Sequence, residues 1–134
     1  MKLDLSSFEK ALASLKIAWT EFQKDTSNYF VQDSVIQRFE YTYEFCHKTL
    51  KRFLIESEFN GQEIKTMSFA DIIRTSSEKG LLLNDLSKWI IYREMRNITS
   101  HTYEESKAGD VVSIVNDFIK DADYLLTKIK EKNA

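Results

Sequence analysis

The sequence has no proline, a single cysteine and no long apolar run. One cysteine excludes an intrachain disulfide, which agrees with a reducing compartment. No stretch approaches the roughly 20 apolar residues that span a bilayer, and the first residues lack a cationic segment followed by an apolar one. These absences predict a cytoplasmic protein without a membrane segment.

The sequence also lacks an excess of either charge, since its formal net charge is only -2 at pH 7. Such a chain has no overall field that attracts polyanions, so any contact with nucleic acid must be local. At 134 residues with 43% hydrophobic residues, the chain fits one domain over residues 1–134. A domain of this size buries roughly two-thirds of the surface that its unfolded form exposes, around one core.

Apolar residues spaced three and four apart predict helices throughout the chain. The first helix begins at a Ser6 or Ser7 cap and ends where the sequence turns polar. The second begins at an Asp33 or Ser34 cap and ends at about Glu58. Their main apolar stripes consist of Leu5, Phe8, Leu12, Leu15, Trp19 and Phe22, and of Val35, Phe39, Tyr43, Cys46, Leu50 and Phe53. The second helix has more apolar residues on other faces, so we expect it to pack on several sides: Ile36, Tyr41, Phe45 and Leu54.

Three glycines, Gly61, Gly80 and Gly109, lie between the segments with helical spacing and are interpreted as breaks. A third helix runs from a Ser68 cap to Gly80. A fourth begins near Asn84, with an inward face of Leu86, Trp89 and Ile90. A fifth follows Gly109 and ends in lysines that suit a helix C-terminus. Since no segment alternates like a strand, the predicted fold class is all-α, an antiparallel up-and-down bundle of four or five helices.

Residues that bind metals or act as nucleophiles occur without the spacing that these roles need. His47 and His101 are far apart, and neither joins a Cys, Asp or Glu at a metal-ligand spacing, so no metal is expected. Cys46 and His47 are neighbours and point about 100° apart on a helix. We therefore interpret Cys46 as a small core residue.

Two further groups of charged residues are interpreted as ordinary surface. Asp121 and Asp123 lie in mid-helix about 200° apart without a glycine-rich loop before them, which favours a solvated face over a magnesium site. Lys48, Lys51 and Arg52 could touch nucleic acid, but glutamates interleaved elsewhere favour a mixed charged surface.

The segment 92–103 departs from the apolar pattern of the fourth helix. A guanidinium, an amide and an imidazole follow one another at Arg96, Asn97 and His101. Polar groups that displace a core pattern often mark a site. Five residues correspond to about 140° of rotation on a straight helix, so Arg96 and His101 converge only if the helix ends between them or two subunits meet there. Thr99 is a mediocre helix former, which favours an end.

At these positions the sequence resembles the HEPN superfamily, whose signature is an arginine, a polar residue, three variable residues and a histidine. Arg96 to His101 match it at every defined position. The stretches 33–40 and 48–51 are similar to the second helix of the nucleotidyltransferase substrate-binding branch, so the resemblance covers nearly the whole chain. Tyr103 completes the Arg-x4-His-x-Tyr form found in HepT-like toxins, which are encoded beside a minimal nucleotidyltransferase.

The resemblance implies the toxin of a toxin-antitoxin pair, a metal-independent endoribonuclease that needs no cofactor. His101 would move protons, since imidazole titrates at about pH 6.5, and Arg96 would bind the phosphate oxygens. Asn97 and Arg93 would support them or bind substrate. The cleft of the family forms between two protomers, which implies a homodimer, and Tyr103 would accept adenylyl groups from the nucleotidyltransferase partner.

Two other interpretations stay open. A non-catalytic subunit would bind a nucleotide or another substrate at the same polar cluster and present it to the nucleotidyltransferase. In the simplest case, Arg96 only pairs with Glu94 or Glu104, because an arginine followed by a histidine five residues later also occurs by chance. Tyr103 would then be a half-buried aromatic residue that ties the loop to the bundle.

Overall fold

The computed structural model describes residues 3–57 and 61–133, and within these ranges the chain is helical without a β-strand. The elements are α1 (Ser6–Lys24), α2 (Tyr29–Ser57), α3 (Gly61–Lys65), α4 (Phe69–Glu78), α5 (Leu86–Asn97), a 3₁₀ turn (Thr99–His101), α6 (Glu105–Ser113) and α7 (Val115–Asn133). The predicted all-helical fold is confirmed, with the short helices α3 and α6 added to the five expected. None of these helices is long and apolar enough to cross a bilayer.

The longest helix, α2, lies at the centre, and every other helix packs against it. Ile36 and Leu54, outside its main stripe, are both buried, which confirms that this helix packs on several sides. One chain therefore covers these faces by itself. Next to α2 the core is aromatic: the Phe118 ring of α7 makes edge-to-face contacts with Phe39, Trp89 and Tyr92.

Polar contacts show that α1 and α7 are antiparallel neighbours. The Asn133 side chain exchanges two hydrogen bonds with the backbone of Leu3, at 2.8 and 3.0 Å. Farther along, Lys16 of α1 forms an ion pair with Asp123 of α7 at 2.6 Å. Residue numbers thus rise along α1 as they fall along α7, and the two ends of the described chain are held together.

The ends of α4 agree with the sequence prediction. The Ser68 side chain accepts a hydrogen bond from the backbone N–H of Asp71 at 3.2 Å, which caps the helix. Gly80 follows the helix with a φ of 75°, in the left-handed region that other residues rarely adopt. Local sequence signals were therefore sufficient at both ends of this helix.

The predicted cap of α1 is wrong. Ser6 is the first residue of the helix, and the side-chain oxygen that serves this end belongs to Asp4, which accepts the Ser6 backbone N–H at 2.9 Å. Ser7 lies inside the first turn. A carboxylate near the positive end of a helix is favourable, and it replaces the expected hydroxyl cap.

The predicted start of α2 is also wrong, by about one and a half turns. Asn28 caps the helix, because its side-chain oxygen accepts a backbone N–H from the first turn at 3.2 Å, and Tyr29 is the first helical residue. Asp33 and Ser34 therefore lie within α2. The first turn makes little contact with the core, so the apolar pattern did not reveal it. The predicted end at Glu58 lies outside the described residues.

The inward face of α5 differs from the prediction at one position. Trp89 is buried as expected, but Ile90 is 41% exposed and Tyr92 is buried instead. Residues three apart share a helix face, so Trp89 and Tyr92 point into the core together.

Gly109 is not a break between helices, because it lies inside α6. The break between helices lies instead at residues 102–104, between the 3₁₀ turn and α6, which begins at Glu105. A glycine in an exposed helix costs only about 1 kcal/mol relative to alanine, which the surrounding helix tolerates.

Replacement of Gly109 and of Gly80 by alanine should change the free energy of unfolding in opposite directions. Nothing lies within 4 Å of a Cβ added at Gly109, so Gly109→Ala should raise the free energy of unfolding by about 0.5–1 kcal/mol. Gly80→Ala should lower it by about 1–2 kcal/mol, because φ is positive there. Urea denaturation followed by circular dichroism measures both, and equal effects of the two changes would contradict the explanation.

Candidate functional site

The candidate site lies where α5 ends. The last residue of this helix is Asn97, directly after Arg96. A 3₁₀ turn that contains His101 follows. The Thr99 hydroxyl donates a hydrogen bond to the Arg96 carbonyl at 2.8 Å and so satisfies one of the free carbonyls of the last turn. Of the two arrangements considered from the sequence, the structure therefore contains a helix end between Arg96 and His101.

Arg96 is held by two carboxylates of α2. Its Nε donates to Glu44 Oε1 at 2.5 Å, and its Nη2 lies 3.9 Å from Glu40 Oε1. These partners replace Glu94 and Glu104, the two that the sequence suggested. A guanidinium engaged through Nε keeps a defined orientation, and its long contact with Glu40 leaves the Nη side open to a second anion.

His101 and Tyr103 lie on the surface beyond this helix end. Both side chains are exposed, Tyr103 to 82%, and their ring centres are 6.4 Å apart. Tyr103 is therefore not the half-buried aromatic residue of the simplest interpretation. Among the described side chains, no hydrogen bond joins His101 to Arg96. One chain thus presents the two groups at the same end of α5 without a hydrogen bond between their described side chains.

A shallow depression of about 410 Å³ lies beside Tyr103. Tyr29, from the first turn of α2, also lines this depression and donates a hydrogen bond to Glu105 at 3.0 Å. This bond to a carboxylate raises the pKa of Tyr29. Two exposed tyrosines therefore line the same depression, and among the described residues a hydrogen bond engages the hydroxyl of Tyr29 alone.

A second, larger groove of about 460 Å³ runs between α2, α4 and α5. We call it the basic groove, and its lining consists of Tyr43, Glu44, His47, Lys51, Met67, Phe69, Ile72, Arg93, Arg96 and Asn97. The sequence predicts that Arg93, Arg96 and Asn97 belong to a site, but it does not reveal the residues that α2 and α4 contribute to the groove. Lys51 was noted only as part of a charged surface, because its partners are distant in sequence.

Contacts with the Phe69 ring fix the positions of two other side chains that line the basic groove. The Arg93 guanidinium lies 4.6 Å from the centre of the Phe69 ring, and the His47 ring is nearly parallel to that ring, with 6.1 Å between centres. Burial lowers the pKa of His47, and the Lys51 charge lowers it further. The imidazole is therefore mainly neutral at pH 7. Burial also raises the pKa of Tyr43, so its hydroxyl stays protonated.

Asp121 is fully buried, which corrects its interpretation as part of a solvated face. Its carboxylate accepts hydrogen bonds from Asn84 Nδ2 at 3.0 Å and from the Tyr92 hydroxyl. Asp123 is half-exposed and pairs with Lys16. The two aspartates therefore have unrelated roles, and Asp121 ties α5 to α7 inside the core.

Cys46 is buried in the core, as expected. Burial raises the pKa of its thiol well above the usual value, so the thiolate form is suppressed. Within the described ranges, no group of three or more His, Cys, Asp and Glu side chains is arranged to hold a metal ion.

This chain is similar to known proteins both in sequence and in structure. Residues 3–131 match the family described as nucleotidyltransferase substrate binding protein like. The probable ribonuclease HepT of Haemophilus influenzae is 38% identical, and the match covers 98% of this chain and 95% of that protein. A Haemophilus influenzae structure, described as the fold of a substrate-binding domain of a nucleotidyltransferase, matches with a TM-score of 0.88 and 33% identity, over 95% of this chain and 99% of that one. A Thermus thermophilus crystal structure matches with a TM-score of 0.73 and 31% identity, over 91% and 98% of the two chains.

Proposed function

The chain belongs to the nucleotidyltransferase substrate-binding protein family, and on this premise we propose that it is the toxin of a toxin-antitoxin pair whose antitoxin is a minimal nucleotidyltransferase. The toxin acts as a metal-independent endoribonuclease. The observation that carries the proposal is the end of α5 at Asn97, which leaves a guanidinium and an exposed imidazole on either side of one helix end. The relative named as a probable ribonuclease supports the same activity.

The proposed reaction uses the ribose 2′-hydroxyl of the RNA as nucleophile. One His101 imidazole removes the 2′-hydroxyl proton as the 2′-oxygen attacks phosphorus, and the bond to the 5′-oxygen breaks as that oxygen receives a proton. Arg96 stabilises the negative charge that develops on the phosphate oxygens. The products are a 2′,3′-cyclic phosphate and a free 5′-hydroxyl. Asn97 and Arg93, which line the basic groove with Arg96, bind the substrate.

The reaction needs both a base and an acid, and we propose that a homodimer supplies them as two copies of His101. Exposure of His101 and Tyr103, together with the half-exposed ring of Tyr29, leaves this end of the molecule open to a second protomer. The additional apolar residues Ile36 and Leu54 of α2 are covered within one chain and are therefore not free to pack against a second protomer.

Incubation of the purified protein with RNA in excess chelator tests the activity. We expect cleavage to continue in chelator and to leave cyclic phosphate ends. A His101→Ala preparation, purified in the same way, controls for contaminating ribonuclease. Intact RNA with the wild-type protein, or cleavage that disappears on chelation, would contradict the proposal.

A second candidate is a non-catalytic subunit that binds a nucleotide or substrate for the nucleotidyltransferase. The contacts of Arg96 with Glu44 and Glu40 favour it, because they neutralise part of the charge that an endonuclease would use. The description of the Haemophilus influenzae neighbour as a substrate-binding domain also favours it. In the chelator assay this candidate predicts intact RNA.

Tyr103 is the proposed acceptor of adenylyl groups. Its hydroxyl would attack the α-phosphorus of ATP on the nucleotidyltransferase, releasing pyrophosphate and a proton, and the added negative charge would oppose RNA binding. After incubation with the partner and ATP, we expect a mass increase of one or more adenylyl groups in the wild-type protein and none in Tyr103→Phe. Tyr29→Phe is the matched control, since Tyr29 is also exposed but hydrogen-bonded to Glu105. An unchanged wild-type mass, or modification of Tyr103→Phe, would contradict this role.

A further inference from the structure

We propose that the basic groove binds one nucleotide of a single-stranded RNA next to the cleaved phosphate, with its phosphate between Lys51 and Arg93. This inference rests on the proposed ribonuclease function and extends it to the substrate contacts. It assigns binding roles to Lys51, His47 and Phe69, none of which belongs to the segment 92–103.

The charges of the groove favour a phosphate. Lys51 and Arg93 stand on different helices, α2 and α5, and both line the groove. In residues 3–57 and 61–133, no carboxylate lies within ion-pair distance of either cation. Glu44 is the acidic residue of the lining, and its carboxylate is engaged by Arg96. Two cations without an anionic partner therefore face the same space.

The remaining lining favours a base. Met67, Phe69 and Ile72 form an apolar side of the groove, and the neutral His47 ring lies along Phe69. Unstacked RNA bases bind to proteins by stacking on aromatic or imidazole rings and on guanidinium planes. The Arg93 guanidinium is already oriented by its contact with Phe69. Arg93 can thus place one face against a base while its N–H groups bind phosphate oxygens.

The position and size of the groove connect it to the proposed reaction centre. Arg96 and Asn97 line it at the end of α5, whereas His101 and Tyr103 are outside its lining. An RNA strand whose cleaved phosphate is bound by Arg96 would therefore place an adjacent nucleotide in the groove. Its volume of about 460 Å³ lies within the range of small-ligand sites.

Contacts of this kind recognise the backbone and the flat faces of bases. We therefore expect binding that depends strongly on salt and only weakly on sequence. For single strands, each phosphate contact contributes about 0.7 to the slope of log affinity against log salt concentration.

The test measures the binding of a short fluorescein-labelled single-stranded RNA by fluorescence anisotropy over a range of salt concentrations. All proteins carry His101→Ala so that the RNA stays intact. Adding Lys51→Gln and Arg93→Gln should weaken binding roughly tenfold and reduce the salt slope by about 0.7 for each phosphate-binding cation removed. The matched control, Lys10→Gln with Arg52→Gln, removes the same charge near Asp4 at the start of α1 and should bind like the parent.

The outcomes separate this inference from the proposed function. If the wild-type protein cleaves RNA but the groove variant binds RNA like the control variant, the groove inference is wrong and the ribonuclease stands. If the wild-type protein does not cleave RNA but binding depends on Lys51 and Arg93, the ribonuclease is wrong and the groove is an RNA site. Absence of binding by the parent overturns the groove inference, and so does equally weakened binding in the groove and control variants.

A competition experiment distinguishes RNA from a free nucleotide. ATP added at the concentration of the protein should leave the labelled RNA bound, because a single nucleotide forms only part of the contacts. Displacement of the RNA by this amount of ATP would show that the groove is a nucleotide site and overturn its assignment to RNA. Thermal unfolding of each variant by circular dichroism shows whether weaker binding reflects a loss of structure.

Discussion

Replacement of His101 by alanine is expected to lower the rate of RNA cleavage by about 10²–10⁴-fold, the usual contribution of a positioned acid or base. In the proposed homodimer both the base and the acid are copies of this residue, so a single substitution removes both. The side chain is exposed, and the free energy of unfolding should change by less than about 0.5 kcal/mol. Single-turnover cleavage of a labelled RNA, with urea denaturation in parallel, measures the two effects.

Ser100→Ala is the matched control for His101→Ala. Ser100 is exposed and lies on the same 3₁₀ turn, but it has no group that can exchange a proton at neutral pH. Its cleavage rate should remain within about threefold of the wild-type rate. Equal rates for His101→Ala and the wild-type protein would exclude His101 as the acid or base, whatever the source of the activity.

Replacement of Asp121 by alanine is expected to lower the free energy of unfolding by about 2–4 kcal/mol. The carboxylate is fully buried and accepts hydrogen bonds from Asn84 and from the Tyr92 hydroxyl. Alanine would leave the Tyr92 hydroxyl without its acceptor inside the core and would open a cavity between α5 and α7. Urea denaturation followed by circular dichroism measures the decrease.

Asp123 provides the matched control, because it lies two residues further along the same helix and is half-exposed. Its ion pair with Lys16 is screened by solvent, so Asp123→Ala should cost less than about 1 kcal/mol. Decreases of equal size for Asp121→Ala and Asp123→Ala would show that the buried network contributes no more than a surface ion pair.

Several features that depend on neighbouring residues could be predicted from the sequence, although the cap of α1 and the start of α2 were not among them. The Ser68 cap and the Gly80 end of α4 are of this kind, since a hydroxyl and a positive φ act within one turn of helix. The end of α5 before Thr99 was also foreseen, because threonine is a poor helix former. Gly109 was misjudged because one exposed glycine costs too little to end a helix whose other residues favour it.

Contacts between distant residues could not be predicted in the same way. Pairing of Arg96 with Glu44 joins α5 to α2 across 52 positions, and burial of Asp121 depends on Tyr92 and Asn84. Periodicity shows which residues are apolar but does not show where a polar residue finds a partner. Asp121 and Asp123 are the same residue type, two positions apart. Only the packing of α5 on α7 shows that Asp121 is buried and Asp123 is half-exposed.

The sequence by itself determined the all-helical bundle, favoured an end of the helix after Arg96 and placed His101 and Tyr103 in the same short segment. It could do so because helical periodicity, capping and helix-breaking residues act over a few positions. Tertiary structure alone decided that Arg96 is held by α2, and that Lys51 and Phe69 form one groove with Arg93. These arrangements require the packing of α2, α4 and α5 against one another, since their residues are far apart in the chain and meet only in the folded core.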